Sequence, residues 1–382
     1  MTLKKLNIAL AFIALPCTTF AAGLDRSGQS INAFFQEGNY AEAGITVIDP
    51  TVKGKSLIKG FEGANISDMA EDYYFPSAAL KVQATDHISL ALLYDQPFGA
   101  DAVYQVDTGS LSQIKNAQGE KEATRAEVKT ENLTAIIGYQ PNQNWNIYAG
   151  PVWQTVEADI ALRGEAYANS GYNLKVDTEE AYGWLAGFAY QMPEIALRAA
   201  VTYRSEIKHK AVSQESFGFG LMPYPLANVE AITPQSVNID LQTGINPTTL
   251  AFANLRWVHW DQFTVTPIGL KLKGGTNLID YSDDQWSANL GVAHKFSEKW
   301  SGTSTVSYDS GAGNPVTTLG PTEGYWGVGV GGQFSPAQNY FIQAGVRYMW
   351  LGDAKAKARG EIVGDFTNNN AWAYGMKIGY KF

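Results

Sequence analysis

The feature that most constrains this 382-residue chain is period-two alternation, sustained for about ten residues at a time. From Trp372 to Phe382 every second residue is large and apolar: Trp372, Tyr374, Met376, Ile378, Tyr380, Phe382. Between them stand Ala373, Gly375, Lys377, Gly379 and Lys381. "YGWLAGFAY" sets Tyr182, Trp184, Ala186, Phe188 and Tyr190 against Gly183, Leu185, Gly187 and Ala189. "SVNIDLQ" and "QWSANLGVAHKF" repeat the pattern with Val237, Ile239 and Leu241, and with Trp286, Ala288, Leu290 and Val292. Successive side chains of a strand point to opposite faces, so each run is a two-faced strand. Soluble sandwiches alternate too. Here Trp and Tyr gather at the ends of runs while Ala, Leu and Val fill the middles, the girdle-and-band distribution of a transmembrane β-barrel.

Composition agrees. The chain holds 38 Gly and 12% aromatic residues, and its charged fraction of 17% lies below the usual value of about 25%. Mean hydropathy is −0.17, and after residue 23 no apolar run approaches the ~18 residues that a membrane helix needs.

Connection lengths are an independent sign. Tight connections fall at 83–87, 139–145, 191–195, 243–247, 296–300 and 334–339. Long polar segments fall at about 50–76, 96–129, 158–179, 206–234, 273–284, 310–323 and 351–369. The two kinds alternate, as the short periplasmic turns and long extracellular loops of outer-membrane barrels do. Such barrels have an even number of strands. Keeping 250–270 as one long, bent strand preserves the alternation and gives an antiparallel barrel of about fourteen strands. A lumen that wide is not filled by wall side chains, so residues 22–39, which alternate poorly, are expected to form an N-terminal hatch that plugs it.

The N-terminus places the chain. Lys4 and Lys5, an apolar run from Ile8 to Leu15, and Thr19-Phe20-Ala21 read as a secretory signal ending near residue 21. The domains are therefore a signal at 1–21, a hatch at 22–39 and a barrel at 40–382. Cys17 also admits a lipoprotein reading, against which Pro16 is a poor fit. Loss of the signal removes the only Cys. It also makes the chain more acidic than its formal −9, which excludes nucleic acid as a partner.

Four segments then resemble the FadL-type transporters of long-chain fatty acids and hydrophobic compounds in Gram-negative outer membranes. These are "YGWLAGFAYQMPEIALRAAVTYRSEIKH" (182–209), "YDQPFG" (94–99), "PTTLAFANLRWVHWDQF" (247–263) and "KFSEKWSGTSTVSYDSGAGNPV" (295–316). The similarity runs with gaps from about Gly23 to Phe382. It implies a fourteen-stranded barrel with a hatch, uptake from outside, and lateral exit through a kinked third strand into the membrane. It also implies a location in the bacterial outer membrane and contact with its lipid and lipopolysaccharide. Phe382 resembles the terminal aromatic signal read by the outer-membrane insertion machinery. The family's hatch carries an Asn-Pro-Ala triad, and residues 22–50 contain none, so the lateral route is altered here or the hatch is held differently.

An apolar ligand needs apolar walls and a few polar groups to fix its head. Leu24, Ile31, Phe34 and Phe35 are the hatch residues able to line such a pocket, or else to pack the plug on the wall. Arg163 and Lys271 are the candidate cations for a carboxylate head; a surface charge or a lumenal ion pair is the competing role. Arg198 and Arg204 are expected in the lumen, paired to carboxylates. Pro97 and Gly99 are the candidate lateral gate, because Pro removes a ladder donor and Gly tolerates a bulge. Pro151 raises the same question in the fifth strand. His87, His209, His259 and His294 show no metal-ligand spacing, so no metal, cofactor or catalytic residue is expected. The function expected is uptake of hydrophobic small molecules by a monomeric channel. A porin is the alternative, and a lipid hydrolase using His294 a more distant one.

Overall fold

The computed structural model describes residues 24–106, 113–115, 119–272 and 277–382. The signal, with Cys17, lies outside the described residues.

Fourteen antiparallel strands close into one barrel. The first half comprises β1 (Tyr40–Thr51), β2 (Tyr73–Gln83), β3 (Ile88–Asp95 and Gly99–Val103), β4 (Arg125–Tyr139) and β5 (Trp145–Leu162). It continues with β6 (Tyr172–Met192) and β7 (Leu197–Arg204 and Ile207–Phe217). The second half comprises β8 (Ala227–Thr233 and Ser236–Asn246), β9 (Thr249–Val258), β10 (Gln285–Lys295) and β11 (Trp300–Asp309). It ends with β12 (Tyr325–Ala337), β13 (Tyr340–Leu351) and β14 (Asn370–Lys381). Closure runs from Tyr40↔Lys381 to Thr51↔Asn370, so the first and last strands leave no open edge between them.

The alternation sorts as the sequence requires. Trp372, Tyr374, Met376, Ile378 and Tyr380 point outward, while Ala371 and Ala373 are buried. Outward aromatics pair into two belts. Trp145–Tyr190 and Trp300–Phe334 lie near the short turns; Tyr308–Trp326 and Tyr348–Trp372 lie near the long loops. Trp300 and Tyr308 are eight residues apart on β11, roughly 27 Å along a strand at ~3.4 Å per residue, which tilt brings close to the height of an apolar band. Among the described residues no helix is long and apolar enough to cross a membrane.

Two expectations need correction. The 250–270 stretch is not one strand. β9 stops at Val258 because Trp260 turns inward, fully buried, its Nε1 donating to Gln285 Oε1 at 2.6 Å. Its ring packs edge-on against Phe98, Phe263 and Tyr281. A short hairpin strand (Thr264–Val265) and helix α1 (Ile268–Leu272) follow. The even count survives because all of 259–284 is one excursion between β9 and β10. The segments 158–179 and 206–234 are also less loop than expected, since β5, β6, β7 and β8 extend into them. β6 spans 21 residues, well beyond the ~9–11 that cross a membrane, so its Lys175-to-Glu179 stretch is strand standing clear of lipid.

Over the long-loop end lies a small sheet, formed by Gly54–Ser56, Asn65–Ile66, Val316–Thr317, Ala354–Ala358 and Glu361–Phe366. Residues 24–39 run inside the barrel, meeting β3, β5, β7, β8 and β9, with Ala33 packed against Tyr40 and Phe341.

Candidate functional site

β3 is interrupted at Gln96-Pro97-Phe98. Asp95 faces Asn132 and Gly99 faces Lys129, so four steps along β3 match three along β4. The extra residue is a bulge, and Pro97, with no N–H to give the ladder, sits in it. On the other side, β2 pairs with β3 only as far as Ala78↔Tyr94. Tyr73–Ser77 keep their β1 partners and have none on β3. The wall therefore has a gap between β2 and β3 on the long-loop side.

The backbone groups of the bulge are satisfied from elsewhere. Pro97 O accepts from Arg26 N at 2.6 Å, and Gly99 N donates to Leu24 O at 2.8 Å. Thr130 Oγ1 on β4 accepts from Phe98 N (2.9 Å) and donates to Phe98 O (2.7 Å). Farther out, Met69 O accepts from Val103 N at 2.8 Å, and Ala70 bridges to Ala102. Residues 24–26 and 69–71 thus supply part of the pairing that β2 does not.

The N-terminal segment is held by polar wall residues. Asp25 Oδ2 accepts from Arg256 Nε at 2.7 Å, and Ser27 donates to Asp95. A turn at Gly28 and Gln29, both at positive φ, presents two carbonyls to the wall. Asn238 donates to Gly28 O and Arg204 to Gln29 O, each at 2.9 Å. Arg198 donates to Asn32 Oδ1 at 3.0 Å and lies over the Phe35 ring. Arg198 and Arg204 are lumenal, as expected, and each donates a hydrogen bond to this segment. The apolar side packs on the opposite wall, where Phe34 and Phe35 meet Tyr148 at 5.2 and 5.6 Å. A Cβ on Gly138 would come within 2.5 Å of Phe34 Cζ, so glycine there makes the room.

Two clefts adjoin this arrangement and a third lies farther out. The first, about 760 Å³, lies beside the β3 interruption and is walled largely by apolar groups such as Leu24, Val52, Met69, Ala102, Val128 and Tyr281. The second, about 1240 Å³, separates the N-terminal segment from β1–β3, β8–β10 and β14 and is more polar, with Asp95, Arg204, Asp240 and Asn254 beside Phe75 and Leu93. The third, about 740 Å³, sits among the long loops between Leu162, Phe217, Leu270 and Leu278, rimmed by Lys357 and Arg359.

The residues singled out in the sequence divide accordingly. Leu24 lines the first cleft. Ile31 and Phe34 are buried against the wall, with Phe35 partly buried beside them. Pro97 sits in the bulge and Gly99 follows it. Arg163 lines none of the clefts: its guanidinium pairs with Glu122 and donates to the Leu162 and Tyr172 carbonyls and to Asn173 Oδ1. Lys271 is not on a strand but exposed on α1. Pro151 sits inside β5, where pairing to β4 lapses between Ala149 and Val152. His294 faces outward, its Nδ1 2.9 Å from Thr249 Oγ1. His259, Asp261 and Asp284 come together where β9 leaves the wall. The acid is anchored there by Trp257 Nε1 at 2.8 Å and meets His259 Nδ1 at 2.9 Å.

Sequence reasoning missed Asp25, Arg26, Arg256, Met69 and Tyr73. A signal existed for one of them: Arg26 is the only basic residue between Ala22 and Lys53.

Comparison with known proteins finds a family model, described as outer membrane protein transport protein (OMPP1/FadL/TodX), matching residues 31–382. The chain resembles the crystal structure of a Pseudomonas aeruginosa FadL homologue (TM-score 0.72, 16% identity, 92% of each chain). It resembles the Pseudomonas putida toluene transporter TodX (0.64, 12%, 92% of this chain and 91% of that one). It also resembles the Ralstonia pickettii toluene transporter TbuX (0.60, 12%, 92% and 91%). At these identities the likeness is one of fold. No curated protein sequence matches.

Proposed function

The chain belongs to the OMPP1/FadL/TodX family of outer-membrane transport proteins, and from that premise we propose that it takes up hydrophobic small molecules through a hatch-gated, lateral route. The family and the closed barrel put the chain in the bacterial outer membrane, its long loops outside. The reading rests chiefly on one observation: the apolar cleft of about 760 Å³ adjoins the stretch where β2 and β3 do not pair. An apolar molecule gains about 0.8 kcal/mol per CH₂ by staying out of water, so a cleft opening sideways to lipid gives it a path an aqueous pore would not.

In this reading the third cleft collects ligand among the outer loops, and residues 24–39 are the hatch. The first cleft, with Leu24 in its wall, holds ligand beside the gap. Ile31, Phe34 and Phe35 seat the hatch instead of touching ligand. Long-chain fatty acids and aromatic hydrocarbons are the cargo classes; two of the structural relatives are toluene transporters. The chain acts as a channel and not as an enzyme.

Deleting Pro97 tests the route. It removes the extra residue of the bulge, lets β3 run in one register along β4, and brings its outer half within pairing distance of β2. Proteoliposomes with the intact chain should accumulate radiolabelled hexadecanoate or toluene, and the deletion variant should fold but lose that uptake. Uptake unaffected by the deletion would remove the lateral route. Large steady ion conductance without binding of either compound would replace the transporter by a porin.

A further inference from the structure

Arg26 occupies the gap between β2 and β3. Its guanidinium lies 4.0 Å from the centroid of the Tyr73 ring, on the part of β2 that has no β3 partner. On the other side it presses on Gly99, the first residue of β3 after the bulge. A Cβ added to Gly99 would stand 2.6 Å from Arg26 Cζ. Glycine at 99 is what gives the guanidinium its place.

The side chain is buried, yet Nε has no hydrogen-bond partner and Arg26 forms no salt bridge among the described residues. Asp101 on β3 and Glu127 on β4 act on it only through longer-range attraction. An arginine meant to stay put is normally held by a carboxylate together with carbonyl oxygens, as Arg163 and Arg256 are here. Arg26 is held by a ring face, a van der Waals seat and diffuse charge, all of which can be given up at modest cost. The backbone on either side is tied more firmly, through Arg26 N to Pro97 O and Asp25 to Arg256. The side chain is therefore the movable part on a fixed mount.

We propose that Arg26 is the latch of the lateral opening: seated between Tyr73 and Gly99 it stands in for the missing β2–β3 ladder, and ligand crosses only when it leaves that seat. The inference rests on the lateral route proposed above.

Its test uses a readout that does not depend on transport. Ala100→Cys places a thiol on the wall of the first cleft, in a chain whose only other cysteine is Cys17. The rate at which a lipid-soluble maleimide labels it in nanodiscs reports opening of the gap. Adding Arg26→Ala should raise that rate about five- to thirtyfold, the population shift expected from losing one desolvated cation–π contact. Gly99→Ala keeps the arginine but evicts it, and should act in the same direction. Tyr73→Leu should do so through loss of the ring. Arg26→Lys, which keeps the charge without the flat face, should fall between.

Limited proteolysis of residues 24–39 checks that the hatch stays docked in each variant. A labelling rate unchanged by Arg26→Ala, with the hatch docked, would overturn the latch. Because labelling needs no cargo, failure of the transport reading shows separately, as absence of uptake by the intact chain.

Discussion

Asp25 of the N-terminal segment and Arg256 of β9 form an ion pair at 2.7 Å in which neither side chain reaches water. The two partners are not equivalent. Arg256 also donates to Asn238 Oδ1, Gln29 Oε1 and Ser236 Oγ. Among the described residues Asp25 has no second side-chain partner on Oδ2, and its Oδ1 is buried without one. Arg256→Ala therefore strands a buried carboxylate and should loosen the N-terminal segment by about 3–5 kcal/mol, whereas Asp25→Ala should cost less. Limited proteolysis of residues 24–39, with barrel integrity followed by heat-modifiable gel mobility, separates the two. Equal sensitivity in both variants would contradict the asymmetry.

Arg163 is a fastener of the outer wall in this structure. Its nitrogens meet Glu122, two carbonyls and Asn173, and Phe219 lies beneath it. Arg163→Ala should weaken the long-loop end on the order of 3 kcal/mol, since several charge-assisted bonds are lost together. Binding of hexadecanoate should stay within about twofold, a change worth under ~0.5 kcal/mol. A selective loss of carboxylate binding, with loops as protease-resistant as before, would restore Arg163 as a head-group ligand.

Gly150 sits where β5 lapses from β4. A Cβ there would lie 1.7 Å from the backbone oxygen of Ala135, which no rotamer change can relieve. Gly150→Ala should prevent barrel assembly. Gly332→Ala is the control, because its nearest obstacle is 3.9 Å away. Folded, heat-modifiable protein should be lost from the first variant and retained in the second.

Glu323, in the loop between β11 and β12, has its pKa raised from the usual 4.5 to about 7, mainly by burial and further by Asp283, against the Gly313 N–H it accepts at 3.0 Å. The folded loop holds its proton more tightly than the unfolded chain. Its stability is therefore greatest below about pH 4.5, declines as pH rises through about 7, and is lowest above that. Hydrogen exchange across residues 310–324, corrected for intrinsic rates, should show less protection at pH 8 than at pH 5. Glu323→Gln should shrink the difference.

Much of the fold was legible because it rests on a local rule. A strand with lipid on one face must alternate, so the outward residues of the runs at 182–190, 285–292 and 372–380 could be read without knowing their neighbours. The even count followed from chain alternation between short and long connections. The misreadings came where local pattern and tertiary environment part. Trp257, His259 and the residues beyond Trp260 look like a continuing strand, yet Trp260 gains more by burying its ring among Phe98, Phe263 and Tyr281. The charged alternation from Lys175 to Glu179 looks like loop, yet it is strand raised beyond the membrane.

The site was legible in its outline and not in its partners. Pro97 and Gly99 announced a weak point in β3, because a missing N–H and a missing Cβ are properties of single residues. What faces that weak point is decided by chain brought from elsewhere: Leu24 and Arg26 from the N-terminal segment, Met69 from the first long loop, Thr130 from β4. A carbonyl or a guanidinium carries no mark in the sequence of the group it will meet across the lumen. Alternation and breakage are written residue by residue, whereas pairing is written only in the closed barrel, where residues 25 and 256 come within hydrogen-bonding distance.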